Sequence, residues 1–156
     1  MITFHSPVLF VREIKNSKDF YTTLLHQQVE HDFGKNIIFE SGLTMWEIDP
    51  DHEISKKANT QNDSNRFELY FETESIQEVQ VELEQKNTLF LHKIQEEPWG
   101  QQTLRFFDPD HHLIEVGEPL EVFVKRMHQQ GLSHAEISRK SGIPIKTVEH
   151  LVENSY

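Results

Sequence analysis

Asp108-Pro109-Asp110-His111-His112-Leu113-Ile114-Glu115-Val116 is the stretch on which the fold turns. Pro109 fixes φ and the flanking carboxylates bond nearby backbone N–H groups, so Asp-Pro-Asp reads as a tight turn. The strand it feeds, Leu113 to Val116, is apolar except for Glu115. Stripping water from a carboxylate is costly, so Glu115 needs a partner, a metal or a place at the rim. An earlier strand, Met45-Trp46-Glu47-Ile48, has the same pattern of two apolar residues, a glutamate and an apolar residue. Two carboxylates set alike in two strands point to a duplicated unit.

Reading outward from each strand gives one element order twice. Val8-Leu9-Phe10-Val11, bounded by Pro7 and Arg12-Glu13, reads as a buried strand. Asn16 or Ser17 then caps a helix carrying Phe20, Tyr21, Leu24 and Leu25 at helical spacing. Strands follow at 29–33, 36–40 and 43–48, the last after a Ser41-Gly42 turn. In the second half, 67–71 is a strand and Ser75 caps a helix with Ile76, Val79 and Leu83 on its stripe and Val81 off it. Strands at 89–91, 103–107 and around Glu115 complete the set, with a turn at Pro98-Trp99-Gly100. The offset that aligns Ile14 with Ile76 also aligns Leu9 with Phe71 and Ser6 with Glu68. A second Asp-Pro-Asp-His at 49–52 follows its glutamate strand instead of preceding it, and reads as coincidence. Residues 55–65 hold one apolar side chain, Ala58, and read as a solvated linker.

The chain has 156 residues, enough for one domain with a small appendage and a sizeable core. It has no cysteine, which excludes disulfides, thiolate zinc sites and thiol nucleophiles. No apolar run nears the roughly 20 residues of a membrane span, and Met1-Ile2-Thr3-Phe4 opens no signal peptide. A cytoplasmic protein is the expectation. A net charge of -11 opposes general affinity for nucleic acid, although it leaves local anion sites open.

Taken together, the doubled β-α-β-β-β order, the opening Val11-x-x-Ile14-x-x-Ser17-x-x-Phe20-Tyr21 and the closing Asp108-Pro109-Asp110-x-x-x-Ile114-Glu115 resemble the vicinal oxygen chelate superfamily. That superfamily includes glyoxalase I, bleomycin-resistance proteins, fosfomycin-resistance enzymes and extradiol dioxygenases. The likeness covers residues 1–118. It implies an α+β fold of two βαβββ modules, 1–54 and 66–118, whose curved mixed sheets form a cleft for a small-molecule ligand. It also implies a homodimer. It does not fix the chemistry, because the scaffold is shared among functions.

Metal-binding members draw ligands from the first and last strands of each module. Carried over, the last-strand positions are Glu47 and Glu115 and the first-strand positions are Ser6 and Glu68. His5 lies beside Ser6, and faces away from the cleft unless Pro7 brings a bulge. Glu47, Glu68 and Glu115, with His5 as an outlier, are the expected metal ligands. Their oxygen donors suit Mg²⁺, Mn²⁺ or Ca²⁺ better than Zn²⁺ or Fe²⁺, and a metal-dependent lyase or dioxygenase-type enzyme would follow. Without a metal, clustered carboxylates raise at least one pKa, which makes Glu115 and Glu47 candidate general bases. The rival expectation is a metal-free cleft with Glu115 bonded to a neighbouring donor.

Trp46, Trp99 and Tyr70 are the candidate ligand wall, with Trp99 as a lid on its Pro-Trp-Gly loop. Phe39 and Phe106 read as core. Arg105 is a candidate to hold a ligand carboxylate or to pair with nearby acids.

Residues 119–156 read as a separate helical appendage. Pro119 opens a helix through Gln130, which Gly131 stops. Ser133-His134-Ala135-Glu136 is a capping box, Gly142 ends that helix, and Pro144 starts a third with Val148, Leu151 and Val152. The spacing of Glu136-Ile137, Gly142-Ile143, Val148 and Leu151 matches a helix-turn-helix unit. From Glu118 onward Lys plus Arg number five and Asp plus Glu five, so the tail is neutral. A packing or dimer element is expected, and nucleic acid is not an expected partner. Two function classes stand: a small-molecule binder or enzyme, and a ligand-sensing regulator whose tail contacts DNA or a protein partner.

Overall fold

The computed structural model describes residues 5–52, 55–56 and 68–153. They form two units, each built on one four-stranded mixed sheet. The first unit takes the described residues before 67 together with Asp108–His112, and the second takes the remainder.

In the first unit the elements are β1 (Val8–Val11), α1 (Ile14–Thr23), β2 (Val29–Asp32), β3 (Asn36–Phe39) and β4 (Thr44–Glu47). The sheet order is β1-β4-β3-β2, with β1 parallel to β4. In the second they are β5 (Leu69–Glu72), α2 (Ile76–Gln85), β6 (Phe90–Glu96), β7 (Gln102–Phe107) and β8 (Leu113–Gly117). The order β5-β8-β7-β6 repeats the first, with β5 parallel to β8. The expected pair of βαβββ modules is therefore present, and its helices open on Ile14 and Ile76, the residues the repeat aligns. Three helices follow: α3 (Leu120–Gln129), α4 (His134–Ser141) and α5 (Ile145–Glu153). They fall with the second unit. Among the described residues no helix is long and apolar enough to cross a membrane.

Alternation along the strands decides which face is buried. Leu9, Val11, Ile37, Phe39 and Met45 are buried in the first unit, with Tyr21 and Leu24 of α1. Leu104, Phe106, Ile114 and Val116 do the same in the second, with Ile76 and Leu83 of α2. Val81 lies outside, as its place off the stripe requires. The edge strand β6 runs further than expected, because its polar residues from His92 alternate toward solvent and hide it in the sequence. The 55–65 linker lies almost wholly outside the described residues.

The cap of α1 differs from expectation. Its N-cap is Glu13, whose carboxylate accepts from Lys15 N at 3.2 Å and Asn16 N at 3.0 Å. Glu47 Oε2 accepts from Ile14 N at 2.9 Å. Two carboxylates thus satisfy the orphan N–H groups at the positive end of the helix dipole. Ser17 is left free for a tertiary bond and is fully buried inside the helix. Ser75 is the N-cap of α2 but makes no side-chain cap bond.

The Asp-Pro-Asp turn is clipped onto α1. Asp108, 3% exposed, accepts from Asp110 N at 2.9 Å, His112 N at 2.8 Å and the Tyr21 hydroxyl at 3.0 Å. Asp110 accepts from Arg12 N at 3.0 Å, Arg12 Nε at 2.8 Å and Ser17 Oγ at 2.9 Å. Burial, with Asp108 beside it, pushes the Tyr21 phenol well above its ordinary pKa. The 49–52 repeat makes the same local turn: Asp51 N donates to Asp49 Oδ1 at 2.9 Å. Its likeness is turn chemistry alone.

Asp108→Ala strips the buried Tyr21 hydroxyl of its acceptor and dissolves the turn. A stability loss of about 2–4 kcal/mol is expected. Tyr21→Phe, which leaves Asp108 its backbone donors, should cost about 1 kcal/mol. Urea unfolding checks both, and equal midpoints for Asp108→Ala and the parent would contradict the account.

Candidate functional site

Sheet register builds a polar face in the second unit. Leu104 and Phe106 turn one way from β7, so Thr103, Arg105 and Phe107 turn the other. Across the sheet Tyr70 pairs with Glu115, Glu115 with Arg105, and Arg105 with His92. These four side chains share a face, and Glu68, two residues before Tyr70, joins them.

Arg105 is the hub. Its Nε donates to Glu68 at 2.9 Å, and its Nη1 donates to Glu97 at 2.7 Å and to His92 Nε2 at 3.2 Å. Its Nη2 bonds Glu115. His92 Nδ1 lies 2.9 Å from the Lys93 carbonyl, so the proton sits on Nδ1 and Nε2 accepts. Side-chain exposure is 18% for Arg105, 7% for Glu115, 12% for Glu97 and 36% for Glu68. Burial alone would lower the Arg105 pKa, but the bonds to Glu68 and Glu97 raise it above its ordinary value. The guanidinium is permanently charged. Three carboxylates around one cation leave the cluster with excess negative charge.

Burial likewise opposes ionisation of Glu97, yet the Arg105 and Thr103 bonds hold its carboxyl below the usual range. Glu96 is held down by its bond from Lys140, against burial, with Arg126 helping. A depressed carboxylate contributes stability that is complete above its unfolded pKa of about 4.3 and lost as pH falls through the folded value. The melting midpoint should therefore hold from neutrality to about pH 5 and drop below about pH 4, with a shallower drop in Glu97→Gln. A midpoint that rises on acidification would overturn this assignment.

Beside the hub stands an aromatic wall. Trp99 Nε1 donates to Gln101 Oε1 at 3.0 Å, and Gln101 Nε2 donates to the Tyr70 hydroxyl at 2.8 Å and the Glu118 carbonyl at 2.7 Å. Gln101 is buried, while Tyr70 and Trp99 keep 47% and 39% of their surface open. A Cβ on Gly117 would lie 2.8 Å from Gln101 Nε2, so glycine there lets the amide pass.

The other candidates lie elsewhere. The two glutamate strands are not set alike. Glu47 pairs with Val11 on the helix-covered face of its sheet, where it holds Ile14 N and sits 3.5 Å from Lys35 Nζ. Glu115 pairs with Tyr70 on the face opposite the buried apolar residues Leu104, Phe106, Ile114 and Val116. With Leu9 set against Phe71, Met45 falls at Val116 and Glu47 three residues beyond Glu115, an odd shift that reverses the glutamate's side. Trp46, in the first unit, stands 6.3 Å from Phe10 and edge-on to His52 at 5.1 Å between ring centroids. His5 is exposed, and the Ser6 hydroxyl lies 3.3 Å from that of Thr44.

Of the carried-over metal ligands, Glu68 and Glu115 come together, and what they hold is a guanidinium. Among the described residues no three His, Asp or Glu side chains converge as an ion requires. The oxygens an ion would take accept instead from a cation that cannot lose its charge, so this donor set does not fit a divalent metal. Sequence reasoning missed His92, Glu97, Gln101 and Gly117. Only the parity of His92 against Arg105 across the β6–β7 pair could have flagged one of them.

Residues 4–121 match the family model described as a glyoxalase-like domain. The chain belongs to that family, and its fold is shared by a solved glyoxalase/bleomycin-resistance/dioxygenase protein from Nocardioides. A protein of unknown function from Agrobacterium tumefaciens str. C58 is 30% identical, covers 77% of this chain and 96% of its own, and superposes with a TM-score of 0.63. A glyoxalase-related enzyme from Fulvimarina pelagi is 18% identical over 76% of this chain and 89% of its own, with a TM-score of 0.63. Lactoylglutathione lyase from Agrobacterium tumefaciens is 17% identical over 74% and 92%, with a TM-score of 0.56. These last two share the fold. No curated protein matches the chain.

Proposed function

We propose that this glyoxalase-like protein binds a small, partly planar organic cation on the Tyr70–Trp99–Arg105 face, without a metal ion. The observation that carries the reading is Arg105 ringed by Glu68, Glu97 and Glu115. The internal cation takes the carboxylate oxygens that metal-dependent lyase or dioxygenase chemistry would need, and binding is the simpler use of the site. The excess negative charge attracts a basic group, for which Glu68, the most exposed of the three carboxylates, is the partner. Open Tyr70 and Trp99 rings offer stacking and cation–π contact. Glu115 then serves to hold Arg105, and Glu47 to hold α1, rather than to move protons. The homodimer implied by the family needs apolar contact surface, and exposed Leu89 and Leu91 beside edge strand β6 supply some. A monomer by sedimentation would count against it.

A thermal-shift screen pairing aromatic amines with aromatic carboxylates of similar size tests the ligand class. The amines should stabilise the protein, and Trp99→Ala should weaken the best of them at least about tenfold. Preference for the carboxylates, or binding indifferent to Trp99, would refute the reading.

A further inference from the structure

Residues 122–153 lie beyond the family match, and ligand binding gives them no task. Helices α3, α4 and α5 enclose a core of their own: Phe123, Val124, Met127, Ile137 and Val148, with Leu132, Ile143, Leu151 and Val152 packed against it. The capping box at Ser133 and Glu136 starts α4, and Gly142 ends it at φ 75°, in the left-handed region. The Ser138 hydroxyl donates to the Ile143 carbonyl at 2.6 Å and closes the short turn into α5. Two short helices joined by a tight glycine turn and braced by a third are the helix-turn-helix arrangement. In that arrangement the second helix of the pair enters the major groove and its N-terminal residues meet base edges.

The first turn of α5 is built for such contact. Val148 points inward, whereas Ile145 is 43% exposed beside exposed Lys146. An exposed isoleucine fits a thymine methyl and a lysine fits the guanine edge. The charges also sort differently in three dimensions. Glu118 is buried against Arg126, and Glu136 is spent on the capping box. What remains is close to neutral, so groove contacts must supply most of the affinity and phosphate attraction a minor share.

We propose that α3–α5 is a duplex-DNA-binding module in which Ile145 and Lys146 read base edges and exposed Arg139 meets a phosphate. It is seated on the turn that carries Trp99. Arg126 Nη2 donates to the Gly100 carbonyl at 2.6 Å, and a Cβ on Gly100 would stand 2.4 Å from Met127 Sδ. Glu96 accepts from Arg126 at 3.1 Å and from Lys140 of α4 at 2.5 Å. Occupation of the Trp99 wall is therefore linked to the module, a coupling that rests on the proposed ligand site.

Selection of the full chain against random-sequence duplexes, followed by mobility shift, tests the module. A preferred sequence should emerge, with Ile145→Ala and Lys146→Ala each weakening it at least about tenfold at unchanged melting temperature. Arg139→Ala should lower the salt dependence by about one ion. No enriched duplex, preference for RNA or for a protein, or parental affinity in both α5 variants would overturn the proposal. Trp46→Phe leaves Trp99 as the sole tryptophan, and the enriched duplex should shift its emission. Bound DNA with unchanged emission would overturn the link alone, whereas failure of the amine screen would overturn the ligand site alone.

Discussion

Replacing Arg105 with alanine should destabilise the protein by about 3–5 kcal/mol, the cost of leaving buried charge without its counterion. Glu115 and Glu97, 7% and 12% exposed, would face each other and half-open Glu68 across an empty site. For a chain of this size the melting point should fall on the order of 10 °C. The loss should shrink as pH drops, because protonation relieves carboxylates that repel one another, whereas the parent weakens over the same range. Arg105→Ala/Glu115→Gln should recover part of the deficit, giving the non-additivity expected of groups in contact. Parental stability in Arg105→Ala would mean that the cluster is not a paired unit.

Gly100→Ala should cost about 2–4 kcal/mol, from two causes that act together. Its φ of +99° is a region that L side chains rarely adopt. The added Cβ would also lie 2.4 Å from the sulfur of Met127, which is 1% exposed and can retreat only by opening the α3–α5 core. Met127→Ala in the same chain should relieve the clash but not the backbone strain, so the two losses should sum to less than their separate values. Circular dichroism during urea unfolding distinguishes the outcomes. A neutral Gly100→Ala would show that the helical module is not seated on the Trp99 turn.

The fold was legible because its signals are local and periodic. Apolar runs, the spacing from Ile76 to Leu83, the capping box at Ser133 and the glycine at 142 each name an element without knowledge of its neighbours. The helix-turn-helix spacing was equally plain. The site was legible in part. Tyr70, Arg105, Glu68 and Glu115 do gather on one face, where strand parity sets them, and Trp99 reaches Tyr70 through Gln101. What a sequence cannot reveal is which residue lies opposite which. Register sends Glu47 to a helix cap and Glu115 to the polar face, although both sit in the same four-residue pattern. Glu97 and Gln101 flank the Pro98-Trp99-Gly100 turn as ordinary polar residues, and only the folded chain brings them onto Arg105 and Tyr70. The three carboxylates carried over as ligands divide on the same point: Glu68 and Glu115 meet on Arg105, which the pattern treats as one more surface charge, while Glu47 caps a helix.

That arginine carries the central claim. Equilibrium dialysis of the purified protein against Mn²⁺ and Zn²⁺, followed by elemental analysis, measures it most directly, with Glu68→Gln and Glu115→Gln run alongside. If Arg105 is the resident cation of the cluster, ion uptake by the parent should not depend on Glu68 or Glu115. One ion per chain, lost in both variants, would place a metal where the guanidinium is assigned and would contradict the account.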